Sequence, residues 1–282
     1  MMTAAELPPA RLVHRSGVDI ATFDLGGTGP ALILLHGLAG SSRELLPTAA
    51  ALADRFRVLL IDQRGHGCST RRPADVSREA FVADVVAVAE ELLPSQRFDL
   101  VGHSMGAHTA LLVAAAHPDL VRRLVLLEGH PGGADDGEAR KLGGYLASWP
   151  VPFRDERAAE AFLGGTALAR AWTQDLRAGP GGLYPRFDAD IMERTIAAVH
   201  APRWTEWEQL ATPTLAVFAE HGMFTSQQQD EMLRRRPGTE HALLPDAGHD
   251  AHLEAHEGWI RVLRAFLRPG PVRTTPPRGT RG

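Results

Sequence analysis

The feature that most constrains this chain is an alternation of short, mostly apolar runs with longer segments of helical character. "ALILLHG" (31–37), "RVLLID" (57–62), "FDLVGH" (98–103) and "RLVLLEG" (123–129) are β-rich runs with no regular polar face. A strand that lacks a polar face is buried on both sides, the usual condition in a parallel sheet covered by helices. Between these runs lie "SSRELLPTAAALADRF", "SREAFVADVVAVAEELL" and "MGAHTALLVAAAHPDL", each long enough for the crossover helix that joins parallel neighbours. The pattern predicts an α/β fold with a mostly parallel sheet flanked by helices.

After Gly129 the rhythm breaks. Residues 130–212 hold glycine pairs, helical stretches and four of the five tryptophans (Trp149, Trp172, Trp204, Trp207), with no comparable buried strand. Alternation resumes with "TPTLAVFAEHG" (212–222), a helix near 226–236, "EHALLPDAGH" (240–249) and a closing helix near 251–267. The expected organisation is a core of residues 11–129 and 213–268 interrupted by a helical insertion over 130–212. The C-terminal stretch "RPGPVRTTPPRGTRG" has too few apolar side chains to pack, and residues 1–10 and 269–282 are expected to be disordered tails.

Composition narrows the class. A net charge of −4 offers no general basic face for nucleic acid, although the arginine-rich C-terminus is locally basic. Cys68 is the only cysteine, so an intramolecular disulfide is excluded; a buried or turn thiol is expected there. No apolar run approaches a membrane span, and "MMTAAELPPA" lacks the basic start and apolar core of a signal peptide. The expectation is a cytoplasmic protein acting on a small molecule, with no nucleic-acid or membrane partner and its oligomeric state left open.

One hydroxyl stands out, in "LVGHSMGAHTA" (100–110). Ser104 falls between a strand and a helix, flanked by Gly102 and Gly106. A serine on so tight a turn has strained backbone angles, and its neighbours must be small where chains approach closely. This context points to a nucleophile presented above the sheet edge.

Four motifs in order, "HGLAG" (36–40), "DQRGHGCS" (62–69), "GHSMG" (102–106) and "DAGHDAHLE" (246–254), resemble the α/β-hydrolase fold superfamily over nearly the whole chain. The resemblance implies the α/β-hydrolase fold with an α-helical cap, here residues 130–212, inserted after the family's sixth strand. It implies Ser104 as nucleophile, His249 as its base, and an oxyanion hole from the backbone N–H groups of Met105 and Leu38, with His36 and Gly37 shaping the second loop. His103 is expected to point away from the serine, and His66, His252 and His256 to be structural or solvated. Asp62 and Arg64 are expected to hydrogen-bond neighbouring loops. No cofactor or metal is implied.

The acid is the open member. Much of the family carries an aspartate shortly after its seventh strand, but the position that aligns is Gly222. Glu128, ending the sixth strand, and Glu220, near the end of the seventh, are the candidates, with Glu128 preferred because some relatives take their acid from that strand end. Asp250 is expected to be a turn residue.

A serine nucleophile implies acyl transfer; carbon–halogen and epoxide chemistry in this family use an aspartate there. The expected function is a capped serine hydrolase cleaving a small apolar carboxylic ester, lactone or thioester through an acyl-enzyme. Carbon–carbon bond hydrolysis, perhydrolysis and lyase chemistry are alternatives on the same site. A ligand-binding receptor with a degenerate triad is the alternative from another class. The cap tryptophans, with Phe153, Phe162 and Met192, either line an apolar pocket or form the cap's own core.

Overall fold

The computed structural model describes residues 6–134 and 136–268. Of the expected tails over 1–10 and 269–282, residues 1–5 and 269–282 lie outside the described residues. In chain order the elements are β1 (Arg11–Arg15), β2 (Val18–Asp24), β3 (Ala31–Leu35), α1 (Ser42–Leu52), β4 (Arg57–Ile61), α2 (Arg78–Leu92), β5 (Phe98–His103), α3 (Met105–Ala116) and β6 (Val121–Leu127). Then follow α4 (Asp136–Ala147), α5 (Glu156–Leu163), α6 (Ala167–Gln174), β7 (Arg177–Gly179), β8 (Gly182–Tyr184), α7 (Ala189–Val199) and α8 (Trp204–Glu208). The chain continues with β9 (Thr214–His221), α9 (Ser226–Arg235), β10 (Glu240–Gly248), α10 (Ala251–Glu254) and α11 (His256–Phe266).

Eight strands form one sheet in the order β1-β2-β4-β3-β5-β6-β9-β10. From β4 to β10 all neighbours are parallel; β1 and β2 run antiparallel at one edge. Alternate residues of each strand feed opposite faces. Ile33, Leu35, Leu59, Ile61, Leu100 and Leu124 pack with Val85 and Val88 of α2 and Leu111 of α3. Leu32, Leu34, Val58, Leu60, Val101 and Val125 face Leu45 of α1 and Trp259 and Leu263 of α11. Ser41, Ser77 and Thr225 cap α1, α2 and α9 with side-chain acceptors, each cap worth about 1 kcal/mol.

The structure departs from the sequence expectations in three places. A β1–β2 hairpin precedes the first apolar run, turning at Ser16-Gly17, both at positive φ (48° and 78°). Only Val13 of β1 is buried, so the strand carries almost no apolar signal. The closing helix is two pieces, α10 and α11, broken at Ala255. The segment expected to be helical also holds the short antiparallel pair β7–β8, whose glycines hide it from a strand pattern.

The elements between β6 and β9 pack over the C-terminal ends of the strands through a third apolar cluster. Trp149, Phe153, Phe187, Ile191 and Met192 meet Phe81 and Met105 there. Arginines tie this segment to core loops: Arg71 to Asp188 at 2.8 Å, Arg72 to Asp190 at 2.6 Å, and Arg43 to Asp175 at 3.5 Å. Among the described residues, no helix is long and apolar enough to cross a membrane.

Candidate active site

Ser104 follows β5 directly and precedes α3, at φ 53° and ψ −117°. Such a backbone costs on the order of 1–3 kcal/mol in a non-glycine residue and persists only where its surroundings enforce it. Here they do: Ser104 N–H donates to Leu127 O (2.9 Å), and the Ser104 carbonyl accepts from His108 N–H (3.1 Å). A Cβ on Gly102 would come within 2.5 Å of Ala107 N, and one on Gly106 within 2.6 Å of His36 O. Both glycines are therefore required by close approach.

The loop after β3 faces the serine. His36 Nε2 accepts from Gln63 N–H (3.0 Å), so Nδ1 carries the proton and donates to Gly37 O (2.7 Å). Burial lowers the His36 pKa to about 4, which keeps this neutral tautomer. Gly37 N–H donates to Glu44, and Ala39 sits at φ 59°. Among the described residues the Leu38 N–H has no acceptor. Met105 opens α3, and the first N–H groups of a helix have no acceptor within it.

His249 follows β10, with Nδ1 3.3 Å from Oε2 of Glu128. Glu128 is buried at φ 48°, just past β6, and its carboxylate is held from three sides. Oε1 accepts from Ala219 N–H (2.8 Å), and Oε2 accepts from Met223 N–H (2.8 Å) as well as facing His249. Gly222 makes the space: a Cβ there would fall 2.5 Å from Glu128 Cδ and overlap both carboxylate oxygens. The carboxylate from β6 thus occupies the volume that a side chain at position 222 would need. Glu220 is directed elsewhere: it is exposed, and its Oε2 accepts from Asp246 N–H at 2.9 Å.

His103 is not turned away from the site as expected. It is buried beneath His249, its Nε2 2.9 Å from His249 O and its ring 4.8 Å from the His249 ring. His252 packs 4.5 Å from His103 on the other side. Burial pushes His103 well below the usual imidazole range and His252 to about 3, so both are neutral packing partners. Glu44, His103 and His252 bring a carboxylate oxygen and two imidazole nitrogens within 4.8 Å of one another. They could hold a cation only with Glu44 ionised, and burial, reinforced by the Asp250 charge, pushes that carboxyl well above its usual range.

The "DQRGHG" residues are structural. Asp62 accepts from Ser42 and Cys68 N–H, both at 2.7 Å, and Arg64 forms a buried two-pronged pair with Asp84 at 2.6 Å. His66 Nδ1 lies 2.9 Å from Arg64 O, and Cys68 is exposed on the turn.

Two cavities meet at Ser104 and His249. The larger, about 500 Å³, is bounded by Leu38, Ala39, Leu142, Tyr145, Leu146, Leu168, Trp172 and Ile196, with Glu138 and Lys141 among its polar residues. The smaller, about 100 Å³, lies against Met105, His108, Glu128, His130 and His200. Of the large apolar residues considered from sequence as pocket or cap core, Trp172 lines the larger cavity, Trp149, Phe153 and Met192 are buried in cap packing, Trp204 and Trp207 pack with the helix-covered face of the sheet core, and Phe162 is exposed. His108 and His200 went unread because an isolated histidine carries no pattern. The space at Gly222 arises between strands distant in sequence.

A family model described as alpha/beta hydrolase fold matches residues 30–256. The 2-(acetamidomethylene)succinate hydrolase of Mesorhizobium japonicum is 27% identical over 283 residues, covering 95% of this chain and 99% of that protein. The mouse (Mus musculus) sn-1-specific diacylglycerol lipase ABHD11 is 30% identical over 262 residues, covering 87% of this chain and 83% of its own. The crystal structure of E-2-(acetamidomethylene)succinate hydrolase superposes with a TM-score of 0.85 at 25% identity, covering 93% and 99% of the two chains.

Proposed function

The chain belongs to the alpha/beta hydrolase fold family and is a hydrolase, and from that premise we propose that it works through a Ser104–His249–Glu128 triad on a small carboxylic ester, lactone or thioester. Ser104 Oγ attacks the substrate carbonyl while His249 takes its proton through Nε2, the nitrogen not facing Glu128. Glu128 orients the ring and stabilises the imidazolium that forms. Negative charge on the tetrahedral oxygen is met by the N–H groups of Leu38 and Met105, fixed donors that need no reorganisation. The imidazolium then protonates the leaving group, an acyl-enzyme remains on Ser104, and water activated by His249 releases the acid.

The segment 130–212 serves as the cap. Its α4 and α6 contribute Leu142, Tyr145, Leu146 and Trp172 to the larger cavity, which suits an apolar substrate portion. The single observation that carries this reading is the Glu128 carboxylate on His249 Nδ1, in the space left by Gly222. The displaced acid is what kept the receptor alternative open, and on this assignment Glu128 is that acid.

A fluorophosphonate probe tests the assignment. Stoichiometric labelling of the wild type, lost in Ser104→Ala together with hydrolysis of an activated ester, is expected. A folded wild type that neither labels nor turns over ester would overturn it.

A further inference from the structure

The smaller cavity beside Ser104 has a largely apolar lining that includes three histidines, His108, His130 and His200, which acyl transfer does not use. His108, on α3 one turn beyond the serine, is 5% exposed, and among the described residues neither of its ring nitrogens has a hydrogen-bond partner. His200, after α7, leaves Nδ1 unpartnered in the same way. His130 differs: its Nδ1 accepts from Gly132 N–H (2.9 Å) and its Nε2 lies 3.1 Å from Gln228 O. A buried polar atom left unpaired costs about 1–3 kcal/mol, so a ligand that supplies the missing partner is favoured.

The sign of that partner follows from the surroundings. Arg78, on α2, is 1% exposed and rests its guanidinium 4.3 Å from the centre of the Phe81 ring. It donates to the Thr109 hydroxyl and at 3.5 Å to Met105 O, while Nε and Nη1 have no partner among the described residues. Its acidic neighbour is Glu79, which acts on it electrostatically but forms no ion pair with it among the described residues, although a buried charge ordinarily requires one. Burial, with Arg78, Arg203 and His200 as the neighbouring charges, keeps His108 well below the usual imidazole range. Glu128, the carboxylate in the cavity wall, is already committed to His249 and two backbone N–H groups. His108 is thus a neutral imidazole with its nitrogens unpaired, and Arg78, behind the chamber wall, is the neighbouring positive charge that favours an anionic partner for it.

We propose that this chamber receives a carboxylate of the substrate, so that the natural substrate is an acid-bearing ester whose apolar part occupies the larger cavity. The inference rests on Ser104 as nucleophile at the junction of the two cavities. At about 100 Å³ the chamber takes a short acid arm of a few heavy atoms. His108 and His200 donate N–H to the carboxylate, and Arg78 supplies the opposite charge from behind. A neutral acyl group of the same size would fit but leave the imidazoles unpaired, and sites built of buried donors discriminate strongly against ligands that cannot pair with them.

Binding to the Ser104→Ala protein tests this without requiring turnover. Monobenzyl succinate and benzyl pentanoate share a benzyl group and, counting a carboxylate oxygen of the former, an acyl chain with the same number of atoms, and differ in the terminal carboxylate. By isothermal titration calorimetry the acid ester is expected to bind at least about tenfold more tightly, the worth of one charge-assisted hydrogen bond. His108→Leu in the Ser104→Ala background should erase most of that ratio, and His108→Gln, which keeps a donor, should retain part of it. His200→Leu should reduce it independently. Equal or weaker binding of the acid ester, or a preference that survives both leucine variants, overturns the proposal. Turnover by the wild type separates this from the hydrolase reading. Cleavage of benzyl pentanoate with no acid preference overturns the chamber alone, whereas tight acid binding with no cleavage of either ester supports the chamber and overturns ester cleavage by the Ser104 triad.

Discussion

The ends of β6 and β9 are neighbours in the sheet, joined through pairs such as Leu127↔Val217. Just past β6 stands a buried glutamate at φ 48°, and just past β9 stands a glycine. Between them is room for one carboxylate, and it is filled from the β6 side. A side chain at 222 and the arm of Glu128 are mutually exclusive, since a Cβ on Gly222 would overlap the carboxylate oxygens. The demand at this point is for a carboxylate at a position in space. Whichever strand end can reach that position can meet it, provided the other is cleared.

The comparison can be broken most severely at Glu128 itself. Glu128→Gln offers one acceptor oxygen where the glutamate serves three donors, and an amide donor facing His249 Nδ1 selects the wrong tautomer. The kcat for an activated ester should fall by about 10³–10⁴-fold, the scale seen when a triad acid becomes its amide. Full turnover would detach Glu128 from the chemistry. A smaller but still large loss is expected from the opposite side: Gly222→Ala forces the carboxylate away from His249, and a misplacement of about 1 Å costs on the order of 10²-fold. The discriminating feature is that this loss should vanish once Glu128 is already glycine, because there is no longer a carboxylate to displace. The smallest effect belongs to Glu220→Gln, whose carboxylate is exposed and bonds Asp246 N–H. Its kcat should stay within about twofold of the parent and its stability within about 0.5 kcal/mol by chemical denaturation.

The same contrast explains what could be read from sequence. The parallel strands are legible because a strand buried on both faces leaves a continuous apolar run, and β3 reads "ALILL". Ser104 is legible because its strained turn demands glycines at fixed offsets. The β1–β2 hairpin is not, since an edge strand with one buried side chain, Val13, writes no such run. At the acid, Glu128 and Glu220 are both glutamates near strand ends, and nothing local says which side chain turns inward. That direction depends on the positive φ at 128 and the clearance at 222, which exist only once β6 and β9 are side by side. His103 was expected to point away by analogy with other turns of its kind, yet the carbonyl of His249, 146 residues later, gives its Nε2 a partner. The unpartnered ring nitrogens of His108 and Nδ1 of His200 had no sequence signal because their significance lies in what fails to contact them.

The most direct test of the account moves the carboxylate between the two strand ends. Glu128→Gly tolerates the positive φ at that position and empties the space; Gly222→Asp then supplies an acid from β9. The double variant Glu128→Gly/Gly222→Asp should recover at least about tenfold in kcat over Glu128→Gly alone, while Gly222→Asp in the otherwise unchanged protein should be impaired by two carboxylates competing for one space. If the double variant is no more active than the single, although folded and still labelled at Ser104 by the fluorophosphonate probe, the carboxylate position beside His249 is not what Glu128 provides.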